Sequence, residues 1–361
     1  MALHDPVPLH ATAPTIEVDG QSFPMLAANL EHMRMNEGPG GLSSLELAFI
    51  DSVPDGTGSH YAANSASPLR LGAGVRVFAG AATTGAGEIF DGQVTAIESE
   101  IRPDGPPVFT ILAEDRLFPA RRRRRTRAYE AMTLGDVVDE IASDFALTAE
   151  VRDGVDQTAR NWMQADETDL AFLRRILDRF DCDMQVVGDR LQVGRVGMDQ
   201  RALVMLTAGD TIISARITAD VAEQVTAIRK ASFDPETGEA TDSEEHASAF
   251  GPGEGQSGPE ILEQNFSAVA MHCGRSGPLN DGDAALLARI EGERRARGFV
   301  RLDCSARGDS GLRVGTWVQL EGVNPMFANQ FAVRRATHRW DHESGYRTDF
   351  LAECAYLKEA S

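Results

Sequence analysis

In the first third of the chain, apolar and polar residues alternate in short runs, as half-buried strands require. Thr15 to Val18 and Gln21 to Phe23 flank Asp19-Gly20, a dipeptide suited to a two-residue hairpin turn. Leu45, Leu47 and Phe49 alternate with Ser44, Glu46 and Ala48. Leu69 to Phe78, Ile89 to Glu98 and Val108 to Ala113 supply further strand-like runs punctuated by Gly, Pro and Asp. Many short strands with such punctuation point to a barrel or sandwich rather than a parallel sheet.

After five consecutive arginines, Arg121 to Arg125, the period changes. Thr133 is placed to cap a helix, with Asp136 at the capping-box position, and Leu134, Val137, Val138, Ile141, Ala142 and Phe145 recur at helical spacing. A second amphipathic helix is expected from about Asp166, with Leu170, Leu173, Ile176, Leu177 and Phe180 as its apolar stripe. Met184 to Val187 and Arg190 to Val193, separated by Gly188-Asp189, read as a hairpin. Strands return at Thr211 to Ile217 and Gln224 to Phe233. They are interrupted between Ala231 and Gly274, where nine acidic residues, no Lys or Arg, and glycines at 251, 253, 255 and 258 give the composition of a solvated loop. Asp283 is placed to cap a helix running to about Ala296, and Val300, Leu302 and Cys304 begin another strand.

An internal repeat organises these elements. Leu69-Arg70-Leu71-Gly72 matches Leu312-Arg313-Val314-Gly315, each leading into a strand, Val75 to Val77 and Val318 to Leu320. Phe90 to Ile97 matches Phe331 to His338, and Ile111 to Glu114 matches Phe350 to Glu353. Three ordered matches imply two copies of one β-barrel unit with a small α+β module between them. Two such units per chain would let a trimer present six quasi-equivalent positions in a ring and so protect exposed strand edges.

Composition narrows the function. A length of 361 residues predicts two or three domains, and 42% hydrophobic with 25% charged residues excludes a disordered polymer. A net charge of −20 disfavours nucleic-acid binding, which needs a basic surface. Only Lys230 and Lys358 are lysines, so arginine carries nearly all positive charge. Met1 to Pro14 lacks a signal-peptide pattern, and no run reaches the roughly 18 apolar residues of a membrane span, so no membrane insertion is expected. Cys182, Cys273, Cys304 and Cys354 show no metal-site spacing and read as reduced thiols of a protein made in the cytoplasm.

The chemistry-bearing candidates are few. Arg121, Arg122, Arg123, Arg124 and Arg125 form a candidate interface for an acidic neighbour, or else a solvated linker. His338 and His342 fall on a strand and turn, where a spacing of four does not make a metal site. Asp178, Asp181 and Asp183 could serve acid–base work or a cation, but read as a polar helix face followed by a turn. The Gly251 to Gly255 segment lacks the lysine of a phosphate loop, and Ser22, Ser43 and Ser44 lie in no nucleophile elbow. No catalytic residue, metal or cofactor is nominated.

The order of barrel, α+β module and interrupted second barrel resembles the phage late control gene D protein family. Phe90-Asp91-Gly92, Arg125-Thr126-Arg127, Leu312 to Leu320, Phe331 to His338 and Tyr346 to Ala352 carry the likeness over about residues 14 to 357. This family comprises the baseplate hubs of contractile tails and the hub half of VgrG proteins. The resemblance implies two tube-protein-like barrels in a mainly β chain with α+β insertions. Residues 1–125 would form the first barrel, 126–200 the module, 201–233 with 298–361 the second barrel, and 234–297 an acidic loop and helix inserted in it. It implies a non-enzymatic homotrimer joining a hexameric inner tube to a trimeric spike, assembled in the cytoplasm into a tail or injection particle with other baseplate components. The spike is expected as a separate polypeptide because the chain stops at Ser361, where VgrG chains continue. A cargo effector is a further candidate partner, with the 231–274 segment as its docking loop. The competing expectation is a tail-associated peptidoglycan hydrolase or wall-binding protein, which predicts a cleft with perturbed carboxylates among residues 166 to 183.

Overall fold

Two sets of six strands, taken in the same chain order, build most of a thirteen-stranded sheet. The computed structural model describes residues 13–54, 59–61, 68–79, 87–198, 200–234, 236–273 and 280–359. Parts of the expected first barrel (1–12, 55–58, 62–67 and 80–86) and of the acidic insertion (235 and 274–279) lie outside the described residues.

The first set is Thr15–Val18, Leu30–Glu37, Ser44–Ile50, Gly74–Ala79, Gly87–Glu100 and Val108–Asp115. The second is Leu203–Thr207, Ile212–Ala219, Val300–Arg307, Trp317–Glu321, Gln330–Asp341 and Gly345–Cys354. In each set the first strand pairs the fourth, and the sheet then runs fourth, fifth, sixth, third, second. The irregularities recur too. A register shift falls between Val94 and Ala96 and again between Val333 and Arg335, and another between Leu30 and His32 and again between Ile212 and Ser214. Gly72 and Gly315 both take positive φ, and their amides donate to Val94 and Val333 carbonyls at 2.8 and 3.0 Å. Two of the three sequence matches sit in this shared register. The third does not: pairing places Gly92, rather than Phe90, at the position of Phe331. One difference separates the sets, since the first strand pairs antiparallel in one and parallel in the other.

Local chemistry accounts for the elements. Asp19 and Gly20 both take positive φ, as the turn between Thr15–Val18 and Gln21–Ser22 requires. Thr133 and Asp136 form a capping box on helix Leu134–Ser143, and Thr168 caps helix Asp169–Arg179. Both helices bury their stripes in a core built on Val137, Ile141, Phe172, Leu173 and Ile176, with Tyr129 stacked on Phe172 at 5.4 Å. Separate apolar cores fill the two strand sets, and Trp340 of the second set joins the core of the first.

The acidic segment differs from its expected loop. It enters between the second and third strands of the second set and folds as a hairpin, Ala227–Phe233 with Ala240–His246, followed by helix Gly258–Asn265 capped by Ser257 and Glu260. Alternation keeps most of the hairpin's acids in solvent, and Arg229 grips Asp242. Gly253 and Gly255, at φ of 102° and 120°, pass so close to Cys354 and the Leu357 backbone that a Cβ would collide. The glycines thus serve close packing rather than mobility. Helix Asp281–Arg297, capped by Asn280 rather than Asp283, sends Ala284, Leu287 and Ile290 into the core of the α+β module.

Candidate functional site

The two strand sets meet where Leu30–Glu37 runs antiparallel to Gln330–Asp341, from Glu37 opposite Ala336 to His32 opposite Asp341. Met33 and Met35 face Trp340 and His338 on the buried side. On the other side the Thr337 hydroxyl donates to Asn36 Oδ1 at 3.1 Å. Buried Glu37 binds the Arg313 guanidinium and accepts the Val314 amide at 3.1 Å. Burial opposes ionisation of Glu37, but Arg313's charge and hydrogen bond, with the Val314 amide, outweigh it and hold the carboxyl below the usual carboxylate range. His338 lies with Nδ1 2.7 Å from the Tyr346 hydroxyl. Burial, reinforced by Arg313's charge, pushes its pKa down to about 3, so the ring is neutral. The joint is therefore a continuous sheet with one buried ion pair at its end.

The carboxylates singled out in the module act as bolts. Asp181 binds Arg297 through two contacts of 2.6 and 2.9 Å, with both side chains almost fully buried. Asp183 accepts the Gly40 amide at 2.7 Å, while Arg174 and Gln185 donate to carbonyls of Gly40 and Gly38 at 2.7 and 3.0 Å. Asp178 is exposed and pairs with Arg294 at 3.3 Å. These three carboxylates thus meet arginines or backbone amides and fix the module against the first strand set and helix Asp281–Arg297. The carboxyls pushed upward are elsewhere: burial raises Glu114 despite the charge of Arg121, and raises Asp115 to about 6 against hydrogen bonds from the Ser43 and Leu117 amides.

His338 and His342 do not converge, because His342 Nε2 contacts the Leu30 carbonyl at 2.9 Å. Among the described residues, no group of three or more His, Cys, Asp or Glu is placed to hold a metal ion. Burial pushes the thiols of Cys182, Cys304 and Cys354 up to about 12. That keeps them protonated and poorly nucleophilic.

The arginine run lies beside the first strand set. Arg121 pairs with Glu114 at 2.7 Å, Arg124 with Asp166 at 3.2 Å, and Arg125 with Asp144 and buried Asp169 at 2.8 and 2.9 Å. Arg123 lies 3.7 Å from Asp144, and Arg122 covers the Phe118 ring at 5.5 Å. Arg121 and Arg122 also rim a surface groove lined by Asn36, Glu46 and Leu112. The equivalent positions of the second set, Thr218, Asp303 and Leu351, line a matching groove, rimmed there by Arg216, Arg301, Arg334 and Arg335. Two different stretches of sequence thus bring arginines to the same groove in each half of a chain whose net charge is −20: Glu46 and Glu114 balance Arg121 and Arg122 in the first, whereas the four arginines of the second outnumber Asp303 and Glu353.

Two strand edges complete the candidate surfaces. Ile212–Ala219 pairs on one side with Val300–Arg307, and its residues are exposed or half-buried. Beyond its pairing with Gly74–Ala79, the end of Gly87–Glu100 leaves Ile97, Glu98, Ser99 and Glu100 exposed. Inspection of the sequence missed both edges, and missed Leu30–Glu37 as a strand. A signal existed in Leu45-Glu46-Leu47 beside Leu302-Asp303-Cys304, which extends the repeat into the third strand.

Comparisons with known proteins follow this architecture. Residues 11–341 match a family model described as the Alg8 N-terminal domain. No curated protein matches the sequence. The fold is similar to that of the 43 kDa tail protein of prophage MuSo2 from Shewanella oneidensis, with TM-score 0.67, 11% identity, and coverage of 94% of this chain and 97% of that one. A tail protein from Neisseria meningitidis gives TM-score 0.65 at 11% identity, covering 94% and 96%. An Escherichia coli component of the type VI secretion system, itself described as similar to bacteriophage T4 tail proteins, gives 0.61 at 12%, covering 96% and 79%. At such identities the likeness is one of fold: this chain has the mainly β fold of tail proteins.

Proposed function

We propose that this chain, which belongs to the Alg8 N-terminal domain family, is a structural hub of a contractile tail or injection particle and works as a trimeric adaptor between a sixfold tube and a threefold spike. One observation carries the reading: the same six-strand order occurs twice and is joined edge to edge within one continuous sheet. Three copies would set six quasi-equivalent units in a ring, which reconciles threefold with sixfold symmetry. The solved structures of similar fold are named as tail proteins and as a secretion-system component, which supports the same assembly class.

On this reading residues 1–125, and 201–219 with 298–361, are the two ring units, 126–200 is the clamp between them, and 220–297 is an insertion, which starts earlier than the expected 234 because Ala227–Phe233 pairs with Ala240–His246 and Ala270–Cys273 in a sheet of its own. The role is mechanical rather than enzymatic. The arginines that recur at the two grooves favour carboxylates on the tube, with Arg121 to Arg125 supplying one set of contacts and the arginines of the second half the other. Tube protein co-purified with the chain provides the test. Arg121→Glu with Arg122→Glu should weaken recovery of tube about tenfold, because two rim charges are reversed. Undiminished recovery would remove these arginines from the interface.

A further inference from the structure

The repeat assigns partners to two of the open strand edges. By the shared pairing registers, Leu30–Glu37 corresponds to Ile212–Ala219, so that Arg34 stands where Arg216 stands and Asn36 where Thr218 stands. Likewise Ala336 to Asp341 corresponds to Ile97 to Arg102. Within the chain, the second strand of the first set pairs with the fifth strand of the second. The counterpart strands, Ile212–Ala219 and the end of Gly87–Glu100, are both left with an open edge.

From this equivalence we propose that Ile212–Ala219 of one copy adds antiparallel to residues 97–102 of a second copy, in the register of the internal joint. That register sets Ala219 opposite Ile97, Thr218 opposite Glu98, Ile217 opposite Ser99, Arg216 opposite Glu100 and Ala215 opposite Ile101.

The side chains agree with the transferred register. Thr218 and Glu98 replace Asn36 and Thr337, whose side chains hydrogen-bond across the internal joint. On that same face, Arg216 meets Glu100, giving charge complementarity between exposed residues. The opposite face pairs Ala219 with Ile97 and Ala215 with Ile101. Ile97 and Ile101 are 36% and 86% exposed in the single chain, whereas Trp340, the internal counterpart of Ile101, is 3% exposed. A slip of one residue would set isoleucines among the charged groups, so the pattern specifies the register. The internal joint also holds the buried Glu37–Arg313 pair. Its intermolecular counterpart places Ala219 where Glu37 stands, so the contact between copies lacks that lock.

The proposal rests on the ring reading, and two measurements on the full chain separate their fates. Residues opposed across antiparallel strands lie about 4.5–5.5 Å apart at Cα, within disulfide range. A one-to-one mixture of Thr218→Cys and Glu98→Cys chains should therefore give a covalent dimer on mild oxidation, whereas each chain alone gives none. Thr218→Cys mixed with Glu100→Cys, two residues out of register, should give at least tenfold less. Arg216→Glu should weaken self-association in sedimentation by about tenfold, and adding Glu100→Arg should restore it. Both positions are exposed, so unchanged circular dichroism verifies folding of the variants. An oligomer that forms without the Thr218–Glu98 cross-link, or is indifferent to Arg216→Glu, overturns the proposed edge and leaves the ring reading standing. A chain that stays monomeric at all concentrations, alone and with tube protein, overturns both.

Discussion

Removing the carboxylate of Glu37 should open the joint between the two strand sets. In Glu37→Ala, Arg313 keeps a contact of 3.3 Å to the Glu88 carbonyl but loses its counter-ion, and the buried Val314 amide loses its acceptor. Breaking a buried pair from one side costs about 3–5 kcal/mol because the remaining charge stays desolvated. An orphaned amide accounts for about 1–3 kcal/mol of such a loss. A total near 4 kcal/mol is a large share of the roughly 5–15 kcal/mol that holds a domain folded. Glu37→Gln keeps an acceptor for Val314 and should cost less. Glu37→Ala with Arg313→Met removes both charges and should recover about 2 kcal/mol relative to the single variant, a coupling that a double-mutant cycle isolates. Urea denaturation followed by tryptophan emission suits the assay, because Trp340 lies in the same joint. A cost below about 1 kcal/mol for Glu37→Ala, or strict additivity in the double variant, would refute the role given to this pair.

Other outcomes follow from the same contacts. His338 is neutral in the fold, with a pKa of about 3 against an ordinary 6.5, so the unfolded chain binds the extra proton between these values. Stability should therefore fall as pH drops from 6.5 toward 3, by up to about 1.4 kcal/mol per pH unit, and His338→Gln should flatten that slope in denaturation series. Glu37, held below the carboxylate range, adds stability above its unfolded pKa that is likewise lost on acidification. Gly40→Ala should destabilise by about 1–3 kcal/mol, measured by thermal unfolding, since Gly40 has φ of 83° and a Cβ would sit 2.8 Å from Arg174 Nε. Thr133→Ala, which removes the capping box of helix Leu134–Ser143, should cost about 0.5–2 kcal/mol, and Thr133→Ser should largely preserve stability.

The elements that could be read from sequence are those whose pattern is local. Asp19-Gly20, the Thr133 box and the stripe from Leu170 to Phe180 each specify structure within one turn or one helix, and all three appear where their chemistry predicts. Leu30–Glu37 was opaque because it carries Glu31, His32, Arg34, Asn36 and Glu37. Its inward face is Leu30, two methionines and a carboxylate that Arg313 and the Val314 amide, distant in sequence, make tolerable. The acidic segment misled for the opposite reason: its composition is that of a loop, but alternation and glycine packing make it a hairpin and a close contact. The five arginines announced a charged surface without naming partners, and the carboxylates they meet come from four separate positions, Glu114, Asp144, Asp166 and Asp169. The repeat was visible in three short matches, whereas the strand edges needed pairing registers that only the folded chain displays.

Imaging the purified full chain together with the proposed tube protein would show whether the chain closes a ring of paired quasi-equivalent units. A threefold particle is expected, with a projection along the axis that shows six similar lobes at the end of the tube. A single copy per tube end, or a closed assembly in which the two strand sets of each chain do not alternate around one ring, would contradict the ring reading.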